Sequence, residues 1–176
     1  DFVRLAAVAQ PADFPPDPLY LRPPDVKIPI SYGIVGPSAA KRLAEIHDEC
    51  FSNSWSEQAF SELLGGNGTV AVLASNQQIA TGFVLFRKAA DEAEILTICT
   101  RPEFRHKGLA KALVQHMESQ LKEAGTKSLF IEVAVSNRAA LSLYATCGFG
   151  VAGLRKNYYE LANAVREDAH IMRKDL

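Results

Sequence analysis

The sequence predicts a mixed α/β domain: a mostly antiparallel central sheet of about seven strands flanked by about four helices. Three observations carry this. Short apolar runs and helically spaced segments follow one another in the order β-α-α-β-β-β-α-β-α-β-β. The three central runs are joined by brief polar turns, the pattern of an antiparallel meander. The chain has 176 residues, 48% of them hydrophobic and 22% charged, which suits one globular domain.

Residues 1–28 stand apart. Seven of the nine prolines lie between Pro11 and Pro29, and proline fixes φ and removes a backbone donor. These residues read as a Pro-rich N-terminal arm, with the single domain at 29–176. Phe14, Leu19, Tyr20 and Leu21 give the arm apolar side chains with which to dock on a surface. Ile30 to Val35 reads as the first strand. Ser38 is the expected N-cap of a helix whose Ala39, Leu43, Ile46 and Cys50 recur at helical spacing. Ser56 caps a second helix, Glu57 to Leu64, stopped by Gly65-Gly66-Asn67-Gly68. Strands follow at 69–75, 79–87 and 94–100, with turns at 76–78 and 88–92. A helix from about Arg105 to Ala124 carries the stripe Leu109, Ala112, Leu113, His116, Met117 and Leu121 and ends at Gly125. An apolar strand at 127–135, a helix from Asn137 to Cys147 closed by Gly148, and strands at 149–158 and 166–173 complete the domain.

Nineteen basic residues against twenty acidic ones leave a net charge of −1, without the basic excess of a general nucleic-acid binder. No apolar run reaches the ~18 residues of a membrane span. The chain opens on Asp1-Phe2-Val3-Arg4, which lacks the basic and apolar regions of a secretion signal. Three scattered cysteines, Cys50, Cys99 and Cys147, form no disulfide framework. The expectation is a cytoplasmic protein, a monomer or weak homodimer, with no direct nucleic-acid or membrane partner. The four histidines offer no metal-ligand spacing; His47-x-x-Cys50 is one pair and a zinc site needs more.

Three groups of residues suggest chemistry. In Arg101 to Lys111 a strand ends and a helix begins at small residues, with Arg101, Arg105, Lys107 and Lys111 against Glu103. Free N–H groups at a helix start, with Gly108 allowing close approach, suit a phosphate; a charged surface turn is the plainer alternative. Walker and dinucleotide spacings are both absent. Glu132 interrupts an otherwise apolar strand, where a carboxylate is costly unless paired or set at an opening; desolvation there would raise its pKa and suit a general base, and a solvent-facing strand end is the alternative. Asn137 and Tyr144 share one face of a helix two turns apart. Taken alone, Asn137 reads as an N-cap and Tyr144 as a core residue.

The run Arg105-His106-Lys107-Gly108-Leu109-Ala110 resembles the R/Q-x-x-G-x-G/A signature of the GCN5-related N-acetyltransferases. Asn137-x-x-Ala140-x-x-x-Tyr144-x-x-x-Gly148-Phe149 resembles the motif that follows it in that superfamily. The resemblance covers roughly residues 30–176. Within the superfamily it is strongest to the bacterial ribosomal-protein-alanine N-acetyltransferases, through Phe51…Trp55-Ser56, Leu129 to Val133, Ser136 to Ala140, Arg155-Lys156-Asn157-Tyr158-Tyr159 and Arg166 to Ala169.

The resemblance implies the fold of that superfamily, acetyl-CoA as co-substrate and no metal. It assigns Ile98, Cys99 and Thr100 to the pantetheine and acetyl carbonyl, with a free backbone N–H at a bulge polarising the thioester. It assigns Arg105, His106, Lys107, Gly108, Leu109, Ala110 and Lys111 to the pyrophosphate, and Asn137 to the pantetheine arm. Glu132 would be the general base and Tyr144 the acid that protonates the leaving thiolate, with direct attack and no acyl-enzyme. Cys99 is then a buried structural thiol, not a nucleophile. Trp55, Tyr158 and Tyr159 fall where the family shapes its acceptor groove, or pack in the core; Arg166-Glu167-Asp168 orients a peptide or is surface charge. The implied acceptor is a protein or peptide N-terminus, with a lysine side chain, a small amine or a non-catalytic acyl-CoA sensor as alternatives. Ser54 stands where the family commonly has proline, and the arm has no counterpart in the short bacterial enzymes.

Overall fold

A computed structural model describes residues 29–160 and 166–176. The Pro-rich arm of the sequence analysis lies outside the described residues. Strand β1 (Ile30–Val35) leads through a 3-10 turn (Pro37–Ala39) into α1 (Ala40–Asp48) and then α2 (Glu57–Gly65). Strands β2 (Thr69–Asn76), β3 (Ile79–Ala89) and β4 (Glu92–Thr100) form the expected antiparallel meander. A second 3-10 turn (Pro102–Phe104) precedes α3 (Leu109–Glu123), followed by β5 (Ser128–Ala134), α4 (Arg138–Thr146), β6 (Gly150–Glu160) and β7 (Arg166–Asp175). Among the described residues seven strands lie in the order β1-β2-β3-β4-β5-β7-β6, and β4 with β5 is the one parallel pair.

Three local expectations change. Ser38 does not cap α1: it sits inside the 3-10 turn, and Ala39 stands at the N-cap with no side-chain bond, because Pro37 starts the turn earlier. Helix α3 begins at Leu109, not Arg105; Gly108 at its N-cap has φ +77°, a left-handed backbone that breaks helical continuity. The β3–β4 turn is only Ala90-Asp91, with Ala90 at φ 53°, so both strands run further than their polar ends suggest. The other signals hold. Ser56 Oγ accepts from Ala59 N at 3.2 Å, and Gly125 and Gly148 both take positive φ past the helix ends.

Helices cover both faces. One core joins α3 and α4 to the sheet through Leu113, Val114, Met117, Tyr144, Val84, Ile95, Leu129, Ile131, Val133 and Met172. The other joins α1 and α2 to it through Leu43, Ile46, Phe60, Ala71, Leu73, Phe83, Leu85 and Cys99. A part-buried ion pair, Lys174 Nζ to both oxygens of Glu118 at 2.7 Å, ties β7 to α3.

The meander is tight at Gly82, which pairs with Thr100. A Cβ there would meet the Cys99 carbonyl oxygen and, at 3.1 Å, the Thr100 Cα, so only glycine lets β3 lie this close to the end of β4. Gly82→Ala should therefore cost about 1–3 kcal/mol, as overpacking does. In thermal melts this is a fall of roughly 2–4 °C per kcal/mol; an unchanged melt would mean the strands part freely here.

Candidate active site

The site follows from two irregularities of β4. Ala93 and Ile95 belong to the α3–α4 core, and strict alternation would add Thr97. Instead Leu96 and Cys99 pack on the α1–α2 side and Ile98 returns to the α3–α4 side. The register agrees: Ile95 pairs with Phe86 and Thr97 with Leu85, leaving Leu96 as an extra residue, a β-bulge. In addition, β4 and β5 stop pairing after Ile95↔Ile131. Beyond that point β4 continues only with β3, to Thr100, and β5 only with β7, to Ala134. A gap opens between them, with Ile98, Cys99 and Thr100 on one side and Glu132, Val133 and Ala134 on the other. Among the described residues, backbone N–H groups on that edge of β4 have no strand partner to their side.

Glu132 and Tyr144 lie on opposite faces of the sheet. Ile131 and Val133 face the α3–α4 core, so Glu132 points to the other face. Its side chain is 15% exposed, and its Oε1 accepts from Arg155 Nη1 at 2.6 Å. The carboxylate is thus both paired and at an opening, and it is not a solvent-facing strand end. Tyr159 donates its hydroxyl to the Glu132 carbonyl at 3.0 Å. The Tyr158 phenol is pushed up to about 12, first by the neighbouring Glu132 carboxylate and then by burial. On the α3–α4 face Tyr144 is 2% exposed, and its ring meets Phe149 edge-on at 5.4 Å. Phe149 N bonds Tyr144 O and Gly148 N bonds Ala145 O, the double closure that ends α4 and fixes Tyr144 in its last turn. Burial pushes the Tyr144 phenol well up, with the Cys147, Tyr159 and Cys99 groups adding in the same direction, so it stays protonated at neutral pH.

The turn before α3 is only partly as charged as the sequence suggests. Arg101 is paired with Glu49 at 3.0 Å. Arg105 Nε donates to Thr100 O at 3.2 Å, and Lys107 Nζ to Glu103 O at 2.8 Å, so both fold back on their own loop. His106 has φ 59° and Gly108 follows at φ 77°. Space beside Gly108 is open: a Cβ there would meet nothing within 4 Å. The first amides of α3, at Leu109, Ala110 and Lys111, have no intrahelical acceptors and face a natural anion seat. Thr100 Oγ1 is buried without a partner. These features fit a phosphate-bearing ligand laid from the α3 start towards the gap.

Asn137 caps α4, its Oδ1 accepting from Ala140 N at 3.1 Å. Trp55 packs on His47 and Phe60, with centroids 5.2 and 5.6 Å away, which is the core-packing alternative. Arg166 starts β7, while Glu167 and Asp168 do something the sequence did not suggest. Glu167 Oε1 accepts from Ser136 N at 2.6 Å and Asp168 Oδ1 from Asn157 N at 2.9 Å, so the two carboxylates hold the turn before Asn137 and the stretch of β6 that carries Tyr158. Sequence reasoning also missed Arg155, because β7 lies between β6 and β5 and no spacing rule announces a contact across it. Cys99 is buried, as expected, and burial pushes its thiol up. Half-buried Cys50 beside it is pulled down to about 7, first by the Cys99 thiol and further by Arg105, against its own burial. Among the described residues no group of three or more His, Cys, Asp or Glu is placed to hold a metal ion. No described helix is long and apolar enough to cross a membrane. An open recess of about 610 Å³ between β1 and α1, lined by Ile34, Lys41, Arg42 and Glu45 among others, contains none of the candidate residues.

Residues 40–149 match the model of the acetyltransferase (GNAT) family. The chain belongs to that family and is an N-acetyltransferase. It is 36% identical over 118 residues to the ribosomal protein bS18-alanine N-acetyltransferase of Escherichia coli, a span of 67% of this chain and 78% of that one. The crystal structure of the ribosomal-protein-alanine N-acetyltransferase from Escherichia coli superposes with a TM-score of 0.78 at 28% identity, covering 84% of this chain and 94% of that chain. Arabidopsis thaliana NAA60, solved with acetyl-CoA, shares the fold at a TM-score of 0.72 and 19% identity, covering 84% of this chain and all of that one.

His47 tests how the α1–α2 loop is held. It is 3% exposed and its Nδ1 accepts from Trp55 N at 3.1 Å. Burial lowers its pKa from the ordinary 6.5, with Asp48 partly opposing. The unfolded chain therefore binds more protons below about 6.5, so this contribution to stability is full above that value and is lost as pH falls through the folded one. The urea midpoint should drop between about pH 7.5 and pH 5, and His47→Gln should reduce that drop. An equal drop in both proteins would remove His47 as its cause.

Proposed function

We propose that the protein transfers the acetyl group of acetyl-CoA to the free α-amine of a polypeptide N-terminus, most specifically the N-terminal alanine of a small-subunit ribosomal protein. The observation that carries the chemistry is the gap between β4 and β5, with a carboxylate on one face and a protonated phenol on the other. The likeness to ribosomal-protein-alanine acetyltransferases supports the choice of acceptor.

Acetyl-CoA supplies the thioester. The amides at the start of α3 and the open space at Gly108 hold its pyrophosphate, and Asn137, at the α4 cap, borders the pantetheine arm. Unpartnered N–H groups on β4 near the bulge hold the acetyl oxygen as negative charge develops on it. An ammonium has no lone pair to attack with, so Glu132, directly or through water, takes its proton. Tyr144 gives its proton to the departing sulfur from the opposite face. Acceptor and leaving group thus use different sides of the sheet, and no residue need carry the acetyl group. Tyr158 and Tyr159, beside Glu132, border the acceptor, while Trp55 stays packed on His47 and Phe60.

The test is CoA release with a panel of acceptors: peptides beginning with free Ala, Ser, Met or Gly, their N-terminally blocked versions carrying internal Lys, and polyamines. Turnover should be confined to free N-termini and be highest for Ala. Turnover of the blocked Lys peptides or polyamines would reassign the acceptor, and tight acetyl-CoA binding with no turnover would favour a sensor. Tyr144→Phe should lower kcat by roughly 10²–10⁴-fold, the usual worth of a general acid. Its acetyl-CoA affinity should hardly move; an equal loss of both would make Tyr144 structural.

A further inference from the structure

The base proposed above has a grip on it that its own strand does not provide. Strand β6 loses register with β7 between Arg155↔Ala169 and Tyr159↔Glu167, so three residues, Lys156, Asn157 and Tyr158, stand against Asp168 alone. Asn157 takes φ 54° to make the bulge, and Asp168 Oδ1 fixes its N–H at 2.9 Å. In a regular strand, residues three apart face opposite ways. Here the bulge brings Arg155 and Tyr158 together, with the guanidinium 4.5 Å from the ring centre. From that stack Arg155 reaches Glu132 Oε1 at 2.6 Å, although β6 and β5 are not neighbours in the sheet. The residue that pairs with Arg155 on the intervening strand is Ala169, itself paired with Ala134 on β5. Glu132 itself pairs with Ile171, so the contact runs diagonally across β7.

We propose that Arg155 is the positioning residue of the transfer: it fixes the direction of the Glu132 carboxylate so that the other oxygen, Oε2, is presented to the incoming amine. This rests on the reading of Glu132 as base. The groups that share this surroundings are Tyr158, Tyr159 and Glu167 from β6 and β7 and Glu94 from β4; Arg155 is the cation among them in contact with the carboxylate. A guanidinium stays charged at any working pH, so this counter-ion never leaves by deprotonation. Its planar fork, stacked on Tyr158, holds one orientation, which a lysine on a flexible stem would not. Arg155 acts through Glu132 and needs no contact with the acceptor. Its side chain is 56% exposed, so replacing it leaves no hole in a core.

The experiment is a double-mutant cycle of R155M and E132Q, with R155K as the conservative variant, read as kcat and KM for a free Ala-initial peptide and for acetyl-CoA. R155M should lower kcat by roughly ten- to a hundredfold, as misdirected catalytic groups do. Both KM values should stay within about twofold. R155K should recover part of the loss, and R155M should add little to the loss already caused by E132Q. Parent-like kcat in R155M, or a raised peptide KM at parent kcat, overturns the proposal, the second outcome making Arg155 an acceptor ligand. The same fold loss in both backgrounds also overturns it. E132Q turning over at the parent rate is a different failure: it removes Glu132 as the base, and Arg155's role falls with it.

Discussion

The parallel pairing of β4 with β5 lasts for four residue pairs and then stops, and the rest of the molecule is arranged around that stop. A parallel pair held over its full length would bury its own N–H groups and leave no opening. Here each strand keeps its other neighbour, so both stay fixed while the space between them widens. The bulge at Leu96 turns the last residues of β4 by one position, which sends Ile98 to one core and Cys99 to the other. Gly82 lets β3 follow β4 closely to its end, so the rim is rigid on that side. On the other side Glu132 is held by β6 across β7.

Two cores on two faces make a division of labour that one core would not allow. The α3–α4 face is built from helix termini: the start of α3 has unfilled amides and the end of α4 has Tyr144 locked by its glycine closure. Helix ends of this kind suit a long, anionic, partly apolar donor. The α1–α2 face near Glu132 is built from side chains of strands and loops, with aromatic and charged groups mixed. That surface suits a polypeptide better than a phosphate.

Much of this was legible in the residues. The helix and strand periods gave the order of elements, because each segment buries one face and so repeats at 3.6 or 2. Gly108, Gly125 and Gly148 marked turns through a backbone demand that few other residues meet. The misreadings share a cause. Ser38 resembles an N-cap until the neighbouring proline starts the turn earlier; such competition is local in space and not visible in spacing. Glu132 was conspicuous as a lone charge in an apolar strand, but its partner Arg155 was not. Their contact depends on strand order, and on a bulge that breaks the very alternation by which strands are read. The work of Glu167 and Asp168 was hidden for the same reason, since each carboxylate serves a backbone far away in sequence.

The strand order also bears on how the chain comes into being. β7 follows every other strand in the sequence, yet it lies inside the sheet, between β5 and β6. During synthesis β1 to β5 can assemble as they emerge, but β5 then presents a bare edge, and β6 has nothing to join. Insertion of β7 closes that edge, seats β6, and brings Arg155, Tyr158 and Tyr159 to Glu132 in one event. A nascent chain stalled before β7 would hold the α3 start and Tyr144 and lack the contacts that β6 and β7 bring to Glu132.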